Sequence, residues 1–358
     1  MRLAILTAAA LVAAVPAAAR DLLITIARPG NLYVFDAAAR ELIADCELGA
    51  HPSPGVIQMS RDGRIAYALV NRWEDVVGID IRTCERVFFA RQSEEGIKRR
   101  SIGSLAVSAD GTEVYTVRNP VRHLIDRYEV MEPELAVYKA DAGLEAQPDR
   151  LFAAPRRSTL MAAGHGGEVY IAGHDIYRVD PATGATEIAI PNRSWDRPTY
   201  SGPDVLAFWP QGAQIDQFIL LYTAAVFTDE TQTELADFVW GQQTVNLATG
   251  ETEIADFASF EVLMFSGIRN PQAMNELYGV YTQLSKHDLA TNTLVKRVDL
   301  PHTYYAINIA SDGSEVYVGG TNDDIGVYDT RTLERIGEMR IPSGGDMGTS
   351  TLQLVQVE

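Results

Sequence analysis

Apolar and polar residues alternate along most of the chain in short runs broken by turn residues, and no long stretch keeps a helical period. Four segments share one form, an apolar run, a turn and a second apolar run ending in Tyr. They are Ile57 to Tyr67, Leu105 to Tyr115, Met161 to Tyr170 and Ile307 to Tyr317. Three of them turn at Asp-Gly and the third in order at Gly-Gly, and glycine accepts the positive φ that a tight hairpin requires. A second form follows each: an alternating strand ending in Asp, a polar turn and another strand. Its copies end at Asp36, Asp80, Asp141, Asp180, Asp288 and Asp329, with Asn246 in the same role. Such a side chain accepts backbone N–H groups two residues on and so sets the turn.

The seven copies are spaced 44, 61, 39, 66, 42 and 41 residues apart. A four-stranded propeller blade takes about 40–50 residues, so the two long spacings mark insertions in blades three and five. The pattern predicts an all-β fold, a seven-bladed β-propeller over residues 20–358. The first blade begins one strand short, at Asp21 to Ala27, while Thr351 to Val357 alternates and has no partners of its own. The C-terminal strand is therefore expected to close blade one from inside, protecting open edges. A pair of open sandwiches fits less well, because the repeat crosses any domain boundary.

With strands lettered A to D from the axis outward, the A–B and C–D turns share one face. The D–A and B–C connections share the other. The irregular segments fall on this second face: the B–C insertions Val117 to Pro133 and Phe227 to Val239, and the D–A loops Pro191 to Asp204 and Leu300 to Tyr305. His51 to Gly55 and Asn71 to Asp75 lie there too. Function on a rigid scaffold concentrates in such loops, so the long-looped face is the expected working face.

Arg2, an apolar run from Leu3 to Val15 and the small residues Ala17 and Ala19 form a secretory signal, residues 1–19, cleaved after Ala19. The run is short for a membrane anchor, and no later segment is apolar enough to span, so a periplasmic, soluble protein is expected. The formal net charge of −18 repels nucleic acid. Cys46 and Cys84 are the only cysteines, and no Cys-x-x-Cys-His motif exists to attach a c-type haem. Cys84 lies four residues past Asp80 and Cys46 ten past Asp36. At about 3.3 Å per residue their heights differ by roughly 20 Å, which predicts two unpaired thiols rather than a disulfide.

The six histidines show no metal-ligand spacing. His165, in a hairpin turn, and His287, beside a turn Asp, are expected to be surface or turn residues. His302, next to Tyr304 and Tyr305, is a pocket candidate. Gly164-His-Gly-Gly167 is an A–B hairpin and not a phosphate loop, since a strand follows it. Glu74–Asp75, Asp229–Glu230 and Asp323–Asp324 lack the alternating oxygens of a calcium loop and are expected to be solvated charge. Trp209 is expected to pack inside its blade. Trp195 and Tyr200, on a loop, suit either packing or an interface. No residue pattern assigns a catalytic base, and neither a catalytic, a cofactor nor a metal site is expected in this chain.

Ser194-Trp195, Thr199-Tyr200, Pro203-Asp204-Val-Leu-Ala207 and Trp209, with Leu300-Pro-His302, Tyr304-Tyr305 and Ser311-Asp-Gly-Ser314, resemble the β subunit of quinohemoprotein amine dehydrogenase. The resemblance extends through most of the mature chain, including Arg28-Pro29 and Arg64 to Ala68. It implies a periplasmic heterotrimer that oxidises primary amines to aldehydes and passes electrons outward. In that family a large subunit carries two c-type haems, and a small subunit carries cysteine tryptophylquinone. The seven-bladed subunit holds no redox centre and helps enclose the active site. Trp195, Tyr200, Asp204, His302, Tyr304 and Tyr305 become the candidates for the partner contact or substrate pocket. The alternatives are a free-standing periplasmic binding propeller and, with no His, Arg and Glu cluster to support it, a sugar-lactone hydrolase.

Overall fold

The computed structural model describes residues 19–49, 55–211, 215–348 and 350–357, with side chains from 207 to 211 excepted. The leader up to residue 18, the loop at His51 and the side chain of Trp209 therefore lie outside the described residues.

The described strands form seven sheets, one per blade. Blade one runs outward from Gln353–Val357 through Arg20–Ala27 and Asn31–Asp36 to Glu41–Glu47. The C-terminal strand thus closes the ring as expected, antiparallel to the first strand from Arg20↔Val357 to Ile24↔Gln353. Blade two holds Ile57–Met59, Ile65–Val70, Asp75–Asp80 and Arg86–Arg91. Blade three holds Ala106–Val107, Glu113–His123, Glu134–Lys139 and Arg150–Ala153. Blade four holds Leu160–Ala163, Val169–Ala172, Ile176–Val179 and Thr186–Ile190. Blade five holds Asp204–Gln211, Gln217–Phe227, Leu235–Asn246 and Thr252–Ser259. Blade six holds Ser266–Asn270, Ala273–Val280, Gln283–Asp288 and Thr293–Asp299. Blade seven holds Tyr304–Ile309, Glu315–Gly320, Asp324–Asp329 and Arg335–Arg340. No helix among the described residues is long and apolar enough to cross a membrane.

The repeated residues do the work their chemistry suggests. Gly63, Gly111, Gly167 and Gly313 take positive φ in the A–B turns. At the C–D turns Asp80, Asp180, Asn246, Asp288 and Asp329 each accept the N–H two residues on, at 2.8–3.0 Å. The Tyr that ends each repeat points between blades. In four blades its hydroxyl donates to the Glu two residues before it: Tyr115 to Glu113, Tyr170 to Glu168, Tyr278 to Glu276 and Tyr317 to Glu315. Each ring is buried and its hydroxyl is satisfied, which is the condition for a tyrosine in a core.

Two insertions are strand rather than loop. In blade three the B strand continues to His123 and pairs there with Ile97–Arg100 on one side and Tyr128–Val130 on the other. In blade five the B and C strands run on to Phe227 and from Leu235, leaving a short connection. Pro120 and the polar content of both segments hid the strands.

The two cysteines form a disulfide, which corrects the expectation of free thiols. Cys46 stands opposite Leu32, at the far end of its sheet from the C–D turn. Cys84 sits in the C–D turn of the next blade at a φ of +59°, yet their Cα atoms are 5.0 Å apart. Successive strands rotate by about 20–25°, so a D strand lies about 60–75° from its A strand and residue counts along it do not measure height. The end of the blade-one D strand leans onto blade two, where the Arg86 guanidinium donates to Leu48 O at 2.5 Å. Replacing both cysteines with Ser is expected to lower unfolding stability by about 2–4 kcal/mol. Denaturant melts with and without reductant test this, and the oxidised wild type, once unfolded, should titrate no free thiol.

Candidate functional site

The long-looped face is held down by buried carboxylates. The D–A loop after blade four lies across blade five. Trp195 meets Tyr222 edge-on at 5.2 Å, and the Arg197 guanidinium lies 3.5 Å over the Tyr200 ring. Arg197 makes two bonds to Asp256, at 2.9 and 2.5 Å. Tyr200 and Tyr222 donate to the same carboxylate at 2.7 and 2.5 Å. Gly241 makes this possible, since a Cβ there would sit 2.0 Å from the Tyr222 ring. Burial alone would raise the Asp256 carboxyl, but the bonds from Arg197 and both tyrosines outweigh it and hold its pKa below the ordinary value. Burial, and then the Asp256 charge, push the Tyr222 hydroxyl well up. Trp195 and Tyr200 are thus turned inward onto the blade.

His302 and Tyr304 form a second cluster at the inner end of blade seven. Their rings are 4.0 Å apart. His302 Nε2 stands 2.7 Å from Asp324, and Tyr304 and Arg335 donate to the other oxygen at 2.6 and 2.9 Å. These bonds overcome burial and lower the Asp324 pKa. Tyr304 is fully buried. Tyr305 turns instead toward Phe265, at 5.4 Å, and Tyr281, at 5.8 Å, and this half-buried aromatic trio borders the D–A loop of blade six. Asp204 starts the A strand of blade five with an exposed side chain. The structure therefore distributes the six sequence candidates among four places on one face and does not join them in a single pocket.

Asp324 has counterparts that sequence reasoning assigned to solvent or passed over. Asp75 is buried, receives Asn71 Nδ2 and holds the N–H of Gln92 at 3.4 Å. Burial raises its pKa despite those bonds. Asp175 accepts the N–H groups of Asn192 and Arg193 at 2.8 and 2.7 Å. Asp75 and Asp324 begin C strands and Asp175 immediately precedes one, and each fastens a D–A loop. Glu74 and Asp75, and Asp324 of the Asp323–Asp324 pair, are thus structural and not solvated charge; Glu74 bonds Lys98 at 2.9 Å. Asp229 and Glu230 are exposed, as expected.

His287 also departs from expectation. It is 1% exposed, packed edge-on to Phe257, with Nε2 3.0 Å from Ser285 Oγ. Alternation places it on the inward side of its strand, a signal that its neighbouring turn Asp obscured. Burial pushes its pKa down to about 4.

The opposite face holds grooves that none of the six candidates lines. One, of about 400 Å³, opens at the channel mouth among A strands. There His165 Nε2 lies 3.0 Å from Arg61 and 2.8 Å from Asp216, joining turns of blades two, four and five. His165 is a turn residue, as read from the sequence. Its departure from the Asp-Gly repeat is the signal for the cluster it joins.

Asp256→Ala leaves Arg197 and two hydroxyls without their acceptor and is expected to cost about 2–4 kcal/mol, read by urea unfolding. His287 has a folded pKa below its unfolded one, so its contribution is complete above pH 6.5 and is lost as pH falls toward 4. A shift of that size corresponds to about 3 kcal/mol. His287→Gln should flatten the fall in stability across this window relative to wild type.

No protein-family profile and no curated protein sequence matches the chain. Among solved structures, apo AztD from Citrobacter koseri is 10% identical, covering 94% of this chain and 98% of that chain with a TM-score of 0.53. A second Citrobacter koseri AztD structure, also 10% identical, covers 95% and 99% with a TM-score of 0.52. Dihydro-heme d1 dehydrogenase NirN in complex with DHE is 14% identical over 93% of this chain and 74% of that one, with a TM-score of 0.49. At such identities the likeness to AztD shows the propeller fold.

Proposed function

We propose that the chain is the propeller subunit, free of redox groups, of a quinohemoprotein amine dehydrogenase. In this proposal it is exported to the periplasm after loss of residues 1–19 and seats the small quinone subunit on its long-looped face. There it walls a site in which primary amines become aldehydes. The observation that carries this is the placement of two stretches of the resemblance, the first of them within its most specific run. Ser194 to Asp204 and Leu300 to Tyr305 both fall on that face, one fastened through Arg197 to Asp256 and the other through His302 to Asp324.

The cysteine chemistry is consistent with this division of labour. Both cysteines are committed to one disulfide, so this chain has no thiol for a thioether to haem or to tryptophan. The large subunit would carry the haems and the small one the quinone, which when bound accepts the electrons of amine oxidation. The contribution of this chain is positional. Loops anchored by buried, charge-assisted bonds give a wall that does not have to be ordered on docking. The trio of Phe265, Tyr281 and Tyr305 offers that wall an aromatic surface that would keep water from the reacting amine.

Co-expression with the two partner subunits tests the assignment. The expected product is a haem-coloured complex containing a crosslinked quinone subunit and reducing a dye when given a primary amine. A colourless, partnerless chain would favour a free-standing binding propeller. Within the complex, Tyr305→Ala with His302→Ala should lower assembly or raise KM for the amine by about tenfold. Unchanged assembly and kinetics would remove these residues from the wall.

A further inference from the structure

Blade five breaks the tyrosine repeat, and a cavity opens beside the break. In blades six and seven the Glu two residues before the Tyr stands opposite the turn Asp, Glu276↔Asp288 and Glu315↔Asp329, and the Tyr follows at Tyr278↔Lys286 and Tyr317↔Val327. In blade five the same register gives Gln217↔Asn246 and Ile219↔Thr244, so Gln replaces the Glu and Ile replaces the Tyr. Tyr278 spans the space to blade seven and donates to Thr330 O at 3.0 Å. Ile219 has neither the ring nor the hydroxyl to do so. A cavity of about 510 Å³ lies at this level between blades five and six, on the face away from the long loops. Every described residue that lines it is polar, which suits a charged, hydrogen-bonding ligand and not an apolar one.

The inner lining holds uncommitted donors. Arg269 enters from the A strand of blade six, and its Nε and Nη2 bond Gln242 and Glu253 at 3.2 and 3.3 Å. Its Nη1 has no partner among the described residues. Thr244 is 3% exposed, and its hydroxyl bonds nothing. Gln217 is buried too, and its side-chain amide makes no hydrogen bond among the described residues. Buried polar groups are nearly always paired, so three such groups on one cavity mark it as built to receive a polar guest. The charges are divided by depth. Arg269 is the inner cation, whereas Glu251 and Glu253 stand at the exposed rim. Glu251 is in no ion pair among the described residues, and its side chain is bonded by Thr249 alone, at 3.3 Å. Glu253 is 58% exposed and meets Arg269 through one nitrogen.

We infer that this cavity binds a small polar α-amino acid, with its carboxylate inside and its ammonium at the rim. The carboxylate accepts from Arg269 Nη1, the Thr244 hydroxyl and the Gln217 amide, and the ammonium donates to Glu251 and Glu253. A carboxylate alone would leave Glu251 unpaired and face like charge, and an ammonium alone would leave the inner donors unused. Only a ligand that carries both charges gives each end a partner. No residue of the long-looped face takes part, so the site is independent of the amine dehydrogenase assignment.

Isothermal titration of the full chain with L-serine tests the site. Two analogues accompany it: ethanolamine, which lacks the carboxylate, and glycerate, which has a hydroxyl in place of the ammonium. L-Serine is expected to bind, and each analogue to bind about tenfold more weakly or worse. Thr244→Val and Glu251→Gln should each weaken L-serine by about tenfold. Thr244→Val removes an unpaired buried hydroxyl, so its thermal melt should not fall below wild type. Glu251→Gln alters only the exposed rim, and it keeps the test open should the first variant fold poorly. Absence of L-serine binding overturns the inference. An analogue that binds as tightly as L-serine means that one charge alone is read, and overturns it as well. Wild-type affinity in both variants places the ligand elsewhere, with the same consequence. None of these outcomes touches the functional assignment above.

Discussion

The last strand, Gln353–Val357, lies beside Arg20–Ala27, so the first and last described strands are hydrogen-bonded to each other within one sheet. Everything else in the molecule rests on that closure. A ring of twisted sheets buries both faces of each blade only if no blade is left at an edge. Further bonds seal the same seam. Arg40 on blade one reaches Glu315 on blade seven at 2.9 Å, and Asp21 accepts the Ser311 N–H and hydroxyl at 2.7 Å. The buried cluster at the seam mixes Leu23, Tyr33 and Phe35 with Tyr317, Ile325 and Val327. Charge and apolar packing therefore act on the same joint.

The molecule treats its two faces differently. On the A–B and C–D face, short turns repeat one device, an Asp or Asn accepting its own downstream N–H. On the other face the D–A connections are longer and irregular, and several are fastened by an anchor of their own. Buried acids at the starts of C strands, Asp75, Asp175 and Asp324, supply three of them, and Asp256 supplies another from a D strand. A buried carboxylate is costly unless several donors meet it, and here donors come from the loop being held. That exchange makes a loop rigid without adding secondary structure.

The fold was largely legible in the sequence because its signals are local. The alternation, the Asp-Gly turns and the spacing of Asp36 through Asp329 each depend on a few adjacent residues. The site was legible only in part. The run from Ser194 to Tyr200 and the Leu300 to Tyr305 segment stood out by composition, but their direction did not. Trp195, Tyr200 and Tyr304 turn inward because Asp256 and Asp324, 56 and 20 residues away from Tyr200 and Tyr304, draw their hydroxyls in or hold their neighbours. Likewise His287 is inward by the parity of its strand, although the Asp after it reads as a surface turn.

The sequence by itself determined the number of blades, the closing strand and the division into a plain face and a long-looped one, since each follows from periodicity and turn chemistry. Only the tertiary structure decided which side chains meet across blades. The disulfide shows why. Cys46 and Cys84 sit at opposite ends of their sheets by residue count, and accumulated strand twist brings them together. The extended B strand of blade three likewise pairs with Ile97–Arg100 and so brings Lys98 to Glu74 of blade two. Height along a strand is a one-dimensional quantity that sequence supplies, whereas the lean of one blade onto the next belongs to the assembled ring.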